Sequence, residues 1–312
     1  ALVLEALEGV LLGERPDWVL LYGDSNSALA GVLASVKLFF RTAHVEAGLR
    51  SYNRRMPEEI NRLLTDQVAD LLFAPTRTAL ANLSREGIPA ERVAHVGDVL
   101  YDAVQHYGKK AETESTLLAQ LALSPGNYVL ATAHRAANTD DPHRLQAIFA
   151  GLAAVARECP VVVPLHPRTR KALVHLHLLD DYARQLILIE PLGYLDLLHL
   201  EKNARVIATD SGGIQKEAFF HRVPCITLRD ETEWPELVEL GWSRLISPQS
   251  AEIVAEGIRG AFHMRGADGN HLYGQGNAAP RIIETLLERL SNQGIEHGDH
   301  VADAGTGWAR VR

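Results

Sequence analysis

The chain has 312 residues, 46% of them hydrophobic and 22% charged, with a net charge of −8. That length suits two domains of ordinary size, each with its own core. The acidic balance argues against a nucleic-acid surface, which needs clustered Lys and Arg, and apolar runs such as 161–165 are too short to span a bilayer.

Strands and helices alternate along the sequence. Residues 1–12 open in a helical pattern, with no initiator Met. Residues 18–22 read as an apolar strand ending at Gly23-Asp24, followed by a helix over 27–39. A second strand, Thr42–Val45, ends at Glu46. Residues 57–69 read as a helix with Pro57 at an early position, where its missing N–H costs nothing. A strand at Leu71–Ala74, a helix over 76–85 and a strand over 93–96 complete the first series. A polar, helix-forming stretch, 105–120, leads to five further strands at 128–132, 161–164, 186–189, 206–209 and 225–228, separated by helical segments. Short, wholly apolar strands between helices predict parallel sheets covered on both faces, hence two doubly wound α/β domains. The join is expected within 105–125. The expected domains are 1–110 with a returning helix, 278–291, and 111–277, leaving a loose tail from Asn292.

The segment Thr209-Asp210-Ser211-Gly212-Gly213-Ile214-Gln215-Lys216-Glu217-Ala218 carries the most specific information. It reads as a strand end, a glycine turn and a helix start. Backbone N–H groups at a helix start have no intrahelical partner, and the helix dipole adds positive charge there. Paired glycines let a phosphate approach closely. Glu217, within the first turns, is placed to accept hydrogen bonds from sugar hydroxyls. An ordinary capped helix is the competing reading from spacing alone.

Ligands of open α/β sheets sit beyond the carboxyl ends of the strands. Those ends supply Asp24, Glu46 and the loop 50–59 in the first half, and His134-Arg135, His166, Glu190 and 210–213 in the second. The expected site is an interdomain cleft with carboxylates on one wall and an anion site on the other. Such a pairing suits proton transfer at carbon, or ionisation of a glycosyl bond whose leaving nucleotide carries negative charge. Cys159 and Cys225 read as buried thiols of a reducing compartment, not as a disulfide framework or zinc site. With no signal-peptide pattern in view, the expectation is a soluble cytoplasmic protein.

Six motifs then occur in order between about residues 10 and 285. They are Gly23-Asp24-Ser25-Asn26-Ser27, His44-Val45-Glu46-Ala47-Gly48-Leu49-Arg50-Ser51, Arg55-Met56-Pro57-Glu58-Glu59-Ile60-Asn61-Arg62, Ala133-His134-Arg135, the Asp210 to Ala218 run, and Leu228-Arg229-Asp230-Glu231-Thr232-Glu233-Trp234-Pro235-Glu236. Together they resemble the non-hydrolysing UDP-N-acetylglucosamine 2-epimerases. The resemblance implies a GT-B-like pair of Rossmann domains that interconvert UDP-N-acetylglucosamine and UDP-N-acetylmannosamine. It implies elimination of UDP to a 2-acetamidoglucal, then re-addition with the opposite C2 configuration, with no nicotinamide cofactor or metal. A homodimer is expected, with neither nucleic-acid nor membrane partners.

By the same resemblance, Asp24, Glu46 and Glu58 are the acidic catalytic positions and His134 faces the pyrophosphate. Ser211, Gly212 and Gly213 hold the phosphates, Glu217 the ribose, and 190–194, including Glu190 and Tyr194, line the uracil pocket. Arg135 is a candidate anion contact, and His166 matches a residue used by some bacterial members for a second, activating substrate. On local grounds alone, Asp24 reads as a helix cap and Glu58-Glu59 as acids favoured by a helix dipole. The chain departs from the pattern at Ala137 and Gln275, where the family usually has acids. It also starts after the family's opening strand and basic loop, so a first domain lacking its opening strands is expected. A GT-B glycosyltransferase, a hydrolysing relative and a truncated UDP-binding chain are the alternatives.

Overall fold

The computed structural model describes residues 2–269 and 271–291; the tail expected from Asn292 lies outside them. In chain order the elements are α1 (Leu2–Glu14), β1 (Val19–Tyr22), α2 (Asn26–Lys37), β2 (Thr42–Val45), α3 (Pro57–Val68), β3 (Leu71–Ala74), α4 (Arg77–Arg85) and β4 (Val93–His95). There follow α5 (Val99–Glu114), α6 (Leu117–Gln120), β5 (Val129–Thr132), α7 (Ala136–Thr139), α8 (Pro142–Ala156), β6 (Val161–Pro164), α9 (Pro167–His175), α10 (Leu179–Ala183) and β7 (Ile187–Ile189). The last are α11 (Tyr194–Asn203), β8 (Val206–Thr209), α12 (Gly212–Phe220), β9 (Cys225–Thr227), α13 (Pro235–Glu239), β10 (Ser243–Leu245), α14 (Ala251–Ala261) and α15 (Ala278–Ser291).

Two compact units result. One runs through Gly48, resumes over Ile60–Val96 and takes in the chain from Asn277; the other comprises Leu49–Glu59 and Gly97–Gly276. The division falls at Gly97, ahead of the 105–125 join read from sequence, because α5 packs within the second unit. Its Val104 and Ala111 lie against Leu198 of α11. Asp98, which caps α5, forms a buried ion pair of 2.7 Å with Lys216 of α12.

The first unit holds a four-stranded parallel sheet in the order β1-β2-β3-β4. Every residue of β2 and β3 is buried, as expected for strands covered on both faces. The second unit holds a six-stranded parallel sheet in the order β10-β9-β8-β5-β6-β7. Its strands divide their side chains between two cores by period-two alternation. Val129, Ala131, Val161, Val163, Val206 and Ala208 enter one, with Phe149 of α8 and Val254 of α14. Leu130, Val162 and Ile207 enter the other, with Leu200 of α11 and Ile214 of α12.

Candidate active site

In the second unit, connections from β5 run one way to β6 and β7, and then cross to β8 on its other side. Such a reversal leaves a crevice at the carboxyl ends of the two strands, where open α/β sheets bind ligands. The loops flanking it carry His134-Arg135 after β5 and Asp210-Ser211-Gly212-Gly213 after β8.

Asp210 ties these loops together. Fully buried, it accepts hydrogen bonds from the backbone N–H groups of His134 (3.0 Å) and Arg135 (3.0 Å) and from Asn138 Nδ2 (3.0 Å). Ser211 is the N-cap of α12 and accepts from the N–H of Ile214. A Cβ placed on Gly212 would sit 3.6 Å from the Arg135 guanidinium and 3.7 Å from Trp234 Nε1. A side chain there would fill the space between a cation and an indole donor. Arg135 is oriented by Glu233 (3.9 Å), which buried Arg229 grips through two hydrogen bonds of 2.8 and 2.9 Å. The ion pair between Arg229 and Glu233 therefore anchors the loop after β9 beside this turn.

His134 stacks on His166, with centroids 5.3 Å apart. Burial lowers the His134 pKa; His166 and Arg135 add to that, against the opposing charge of Asp210. His166 caps α9, its Nδ1 accepting from the N–H of Arg168 (3.1 Å). Glu217 is buried, and burial raises its pKa against the opposing effects of a Tyr194 hydrogen bond and the Lys216 charge. No sequence motif pointed to its neighbour Glu201, wholly buried with both carboxylate oxygens unpartnered, whose pKa burial and the Glu217 charge push well above normal. Glu190 is exposed and pairs with Arg170.

Glu58 belongs to this unit by its segment, Leu49–Glu59. Asn53 donates to Glu231 (3.0 Å) and Arg229 reaches Met56 Sδ (3.8 Å), so the segment lies against the loop bordering Gly212. The adjacent acids have separate roles. Glu59 is buried and accepts from Ser51 N (2.8 Å), Ser51 Oγ (2.9 Å) and Tyr52 N (3.1 Å), shaping the loop. Glu58 is half-buried.

In the first unit, Gly23 and Glu46 follow the paired residues Tyr22 and Val45 at the ends of adjacent strands. Both have left-handed backbones, φ 67° and 69°. A Cβ on Gly23 would lie 3.4 Å from Glu46 Oε2, so Glu46 reaches over the turn that carries Asp24. A non-glycine residue at such a φ is a strained feature of the kind held at functional sites. Asp24 is not the helix cap; Ser25 is, accepting from the N–H of Ala28. Arg62 instead grips Asp24 Oδ2 through Nε (2.9 Å) and a terminal nitrogen (2.7 Å). Asn61 donates to the Asp24 carbonyl (2.8 Å). The structure thus brings Asp24 and Glu46 together in one unit. It brings His134, Arg135, His166, the Ser211–Gly213 turn and the Glu58 segment together in the other. Among the described residues no cluster of His, Cys, Asp and Glu could hold a metal ion, and no helix is long and apolar enough to cross a membrane.

Two parallel α/β units, one with a glycine helix start at its switch point, define a nucleotide-binding protein of the doubly wound class. Comparison narrows this: the model of the family described as UDP-N-acetylglucosamine 2-epimerase matches residues 1–287. A UDP-N-acetylglucosamine 2-epimerase homolog of Methanococcus maripaludis is 46% identical over 287 residues, covering 91% of this chain and 79% of that protein. A UDP-2,3-diacetamido-2,3-dideoxy-D-glucuronate 2-epimerase of Pseudomonas aeruginosa is 46% identical over 289 residues, covering 92% and 79%. The solved structure of Methanocaldococcus jannaschii UDP-GlcNAc 2-epimerase with UDP-GlcNAc and UDP superposes with a TM-score of 0.85 at 41% identity, covering 92% and 80%. The chain belongs to the UDP-N-acetylglucosamine 2-epimerase family, an isomerase family with the GT-B-like fold.

Proposed function

We propose that this chain inverts C2 of UDP-N-acetylglucosamine, giving UDP-N-acetylmannosamine. The carrying observation is Glu46, a carboxylate held on a strained backbone beside the Asp24 turn. In the forward direction a carboxylate takes the C2 proton while the C1–O bond breaks and its electron pair leaves with UDP. The product is a 2-acetamidoglucal. Re-addition of UDP at C1, with a proton delivered to the other face of C2, completes the inversion. Asp24, Glu46 and Glu58 are the groups proposed for proton removal, proton return and support of the cation-like sugar. Ser211, Gly212, Gly213 and Arg135 hold the diphosphate, and Glu217 the ribose. His134, with its lowered pKa, donates a hydrogen bond to the leaving diphosphate as a neutral ring. Tyr194, hydrogen-bonded to Glu217, borders the nucleoside.

A second reading is favoured by the Pseudomonas relative, as similar as the first: the same inversion on a UDP-linked diacetamido uronic acid. Both sugars carry the 2-acetamido group, so the chemistry is shared and the sugar's far side decides. Incubating each UDP-sugar in deuterated water tests the two together. We expect one deuterium at C2 of the product without any acceptor. Glu46→Gln is expected to reduce exchange by about 10²–10⁴-fold while UDP still binds. No C2 exchange with either sugar would overturn the proposal.

A further inference from the structure

We propose that His44 is a positioning residue for this reaction: as a buried imidazolium between Asp66 and the Gly23 carbonyl, it fixes the turn presenting Asp24 and Glu46. The inference rests on the roles proposed above for those two carboxylates.

His44 lies in the interior strand β2 with no solvent exposure. Its Nε2 is 2.8 Å from the Gly23 carbonyl, which can only accept, so Nε2 carries a proton. Its Nδ1 is 2.7 Å from Asp66 Oδ1. One proton bridges that contact, and the ordinary order of pKa, about 4 for Asp and about 6.5 for His, assigns it to the ring. Burial opposes the charge, but Asp66, the Gly23 carbonyl and the nearby Glu46 carboxylate outweigh it and raise the histidine pKa. The second oxygen of Asp66 accepts the Gly48 N–H at 3.0 Å. Arg92 donates to the Asp66 backbone carbonyl at 3.2 Å.

The ring and its partner therefore hold both flanks of the strained residue. On one side is Gly23, beneath the Glu46 carboxylate; on the other is Gly48, two positions beyond it. The N–H of Ala47, between them, is fixed by the Phe73 carbonyl at 3.1 Å. Asp66 and Arg62 lie one turn apart on α3, so the same helix steadies the ring and grips Asp24. A neutral, one-donor side chain at position 44 cannot serve both partners.

His44→Gln keeps an amide donor and removes the charge. We expect kcat and C2 exchange to fall about ten- to a hundredfold, with KM and UDP affinity changed less than about threefold. Lower thermal stability with unchanged kcat per folded molecule would overturn the role. A second measurement needs no variant: nitrogen NMR of protein labelled at histidine. One ring should keep two imidazolium N–H groups beyond the pH at which ordinary rings have become neutral. Absence of any such ring overturns the proposal. If the wild type exchanges at C2 and His44→Gln exchanges equally, the His44 role falls alone. If the wild type exchanges with neither sugar, the reaction assignment falls and takes the role with it.

Discussion

Asp210 shows how much a single buried carboxylate organises. It is not placed to meet a substrate; it satisfies the N–H groups of His134 and Arg135 so that their side chains keep one geometry. Asp210→Ala would strand those donors, at a cost of about 1–3 kcal/mol each, and we expect UDP affinity to fall with it, as calorimetry would show. Glu201 gives the opposite kind of prediction. Its carboxyl titrates well above its normal range in the folded chain and normally in the unfolded one. The folded state therefore keeps a proton that the unfolded state releases, and stability falls as pH rises above the ordinary glutamate range. Glu201→Gln should flatten that decline, measured as melting temperature against pH. Neither behaviour is written in the local sequence. Asp210 follows a strand as many turn residues do, and Glu201 sits in an unremarkable helix. Glu58 and Glu59 are chemically identical neighbours, and only the fold shows which one ties down residues 51 and 52. His44 was visible only as one letter of a motif, because its partners lie 21 and 22 residues away.

Elements depend on close approaches that single side chains would block. Gly151 of α8 faces α14, and a Cβ there would meet Val254 at 2.7 Å and the Ala251 carbonyl at 2.8 Å. Gly151→Ala should force the two helices apart at a cost of about 1–3 kcal/mol, read from chemical denaturation. Gly48 has φ 84°, and its Cβ would lie 2.5 Å from the Ala79 carbonyl. Gly48→Ala is expected to destabilise by about 2 kcal/mol and to disturb Glu46, two residues away. The apolar strands were legible from sequence for a physical reason: burial on both faces leaves no polar alternation, so the runs at Leu71–Ala74 and Val161–Pro164 stand out. Strand β10, Ser-Arg-Leu at a sheet edge, has an exposed middle residue and gave no such run. The stretch 105–120 read as one helix because its polarity hides the break at Ser115. Its true start at Val99 is set by the Asp98 cap, whose side chain accepts from the N–H of Leu100.

For the whole molecule, ligand and fold are linked. On the proposed assignment, UDP bound at the loops after β5 and β8 should stabilise the second unit, by about 2.7 kcal/mol at a hundred times its dissociation constant. Hydrogen exchange should slow most in β5, β8 and α12. Lys216→Met tests the support behind that site. It would leave Asp98 as an uncompensated buried charge, at a cost of about 3–5 kcal/mol in thermal or chemical unfolding.

The first unit is closed by a helix drawn from the far end of the chain. Ile282 and Leu286 of α15 are buried, and Arg281 donates to the Val96 carbonyl at 3.1 Å. On the ribosome, strands β1 to β4 emerge early, yet the piece that finishes their domain is made only after all of the second unit. Nascent chains must hold that first unit without its last helix until the second unit has been made. Slowed elongation beyond Gly276 should therefore leave residues 60–96 open to proteases, while the second unit already resists them.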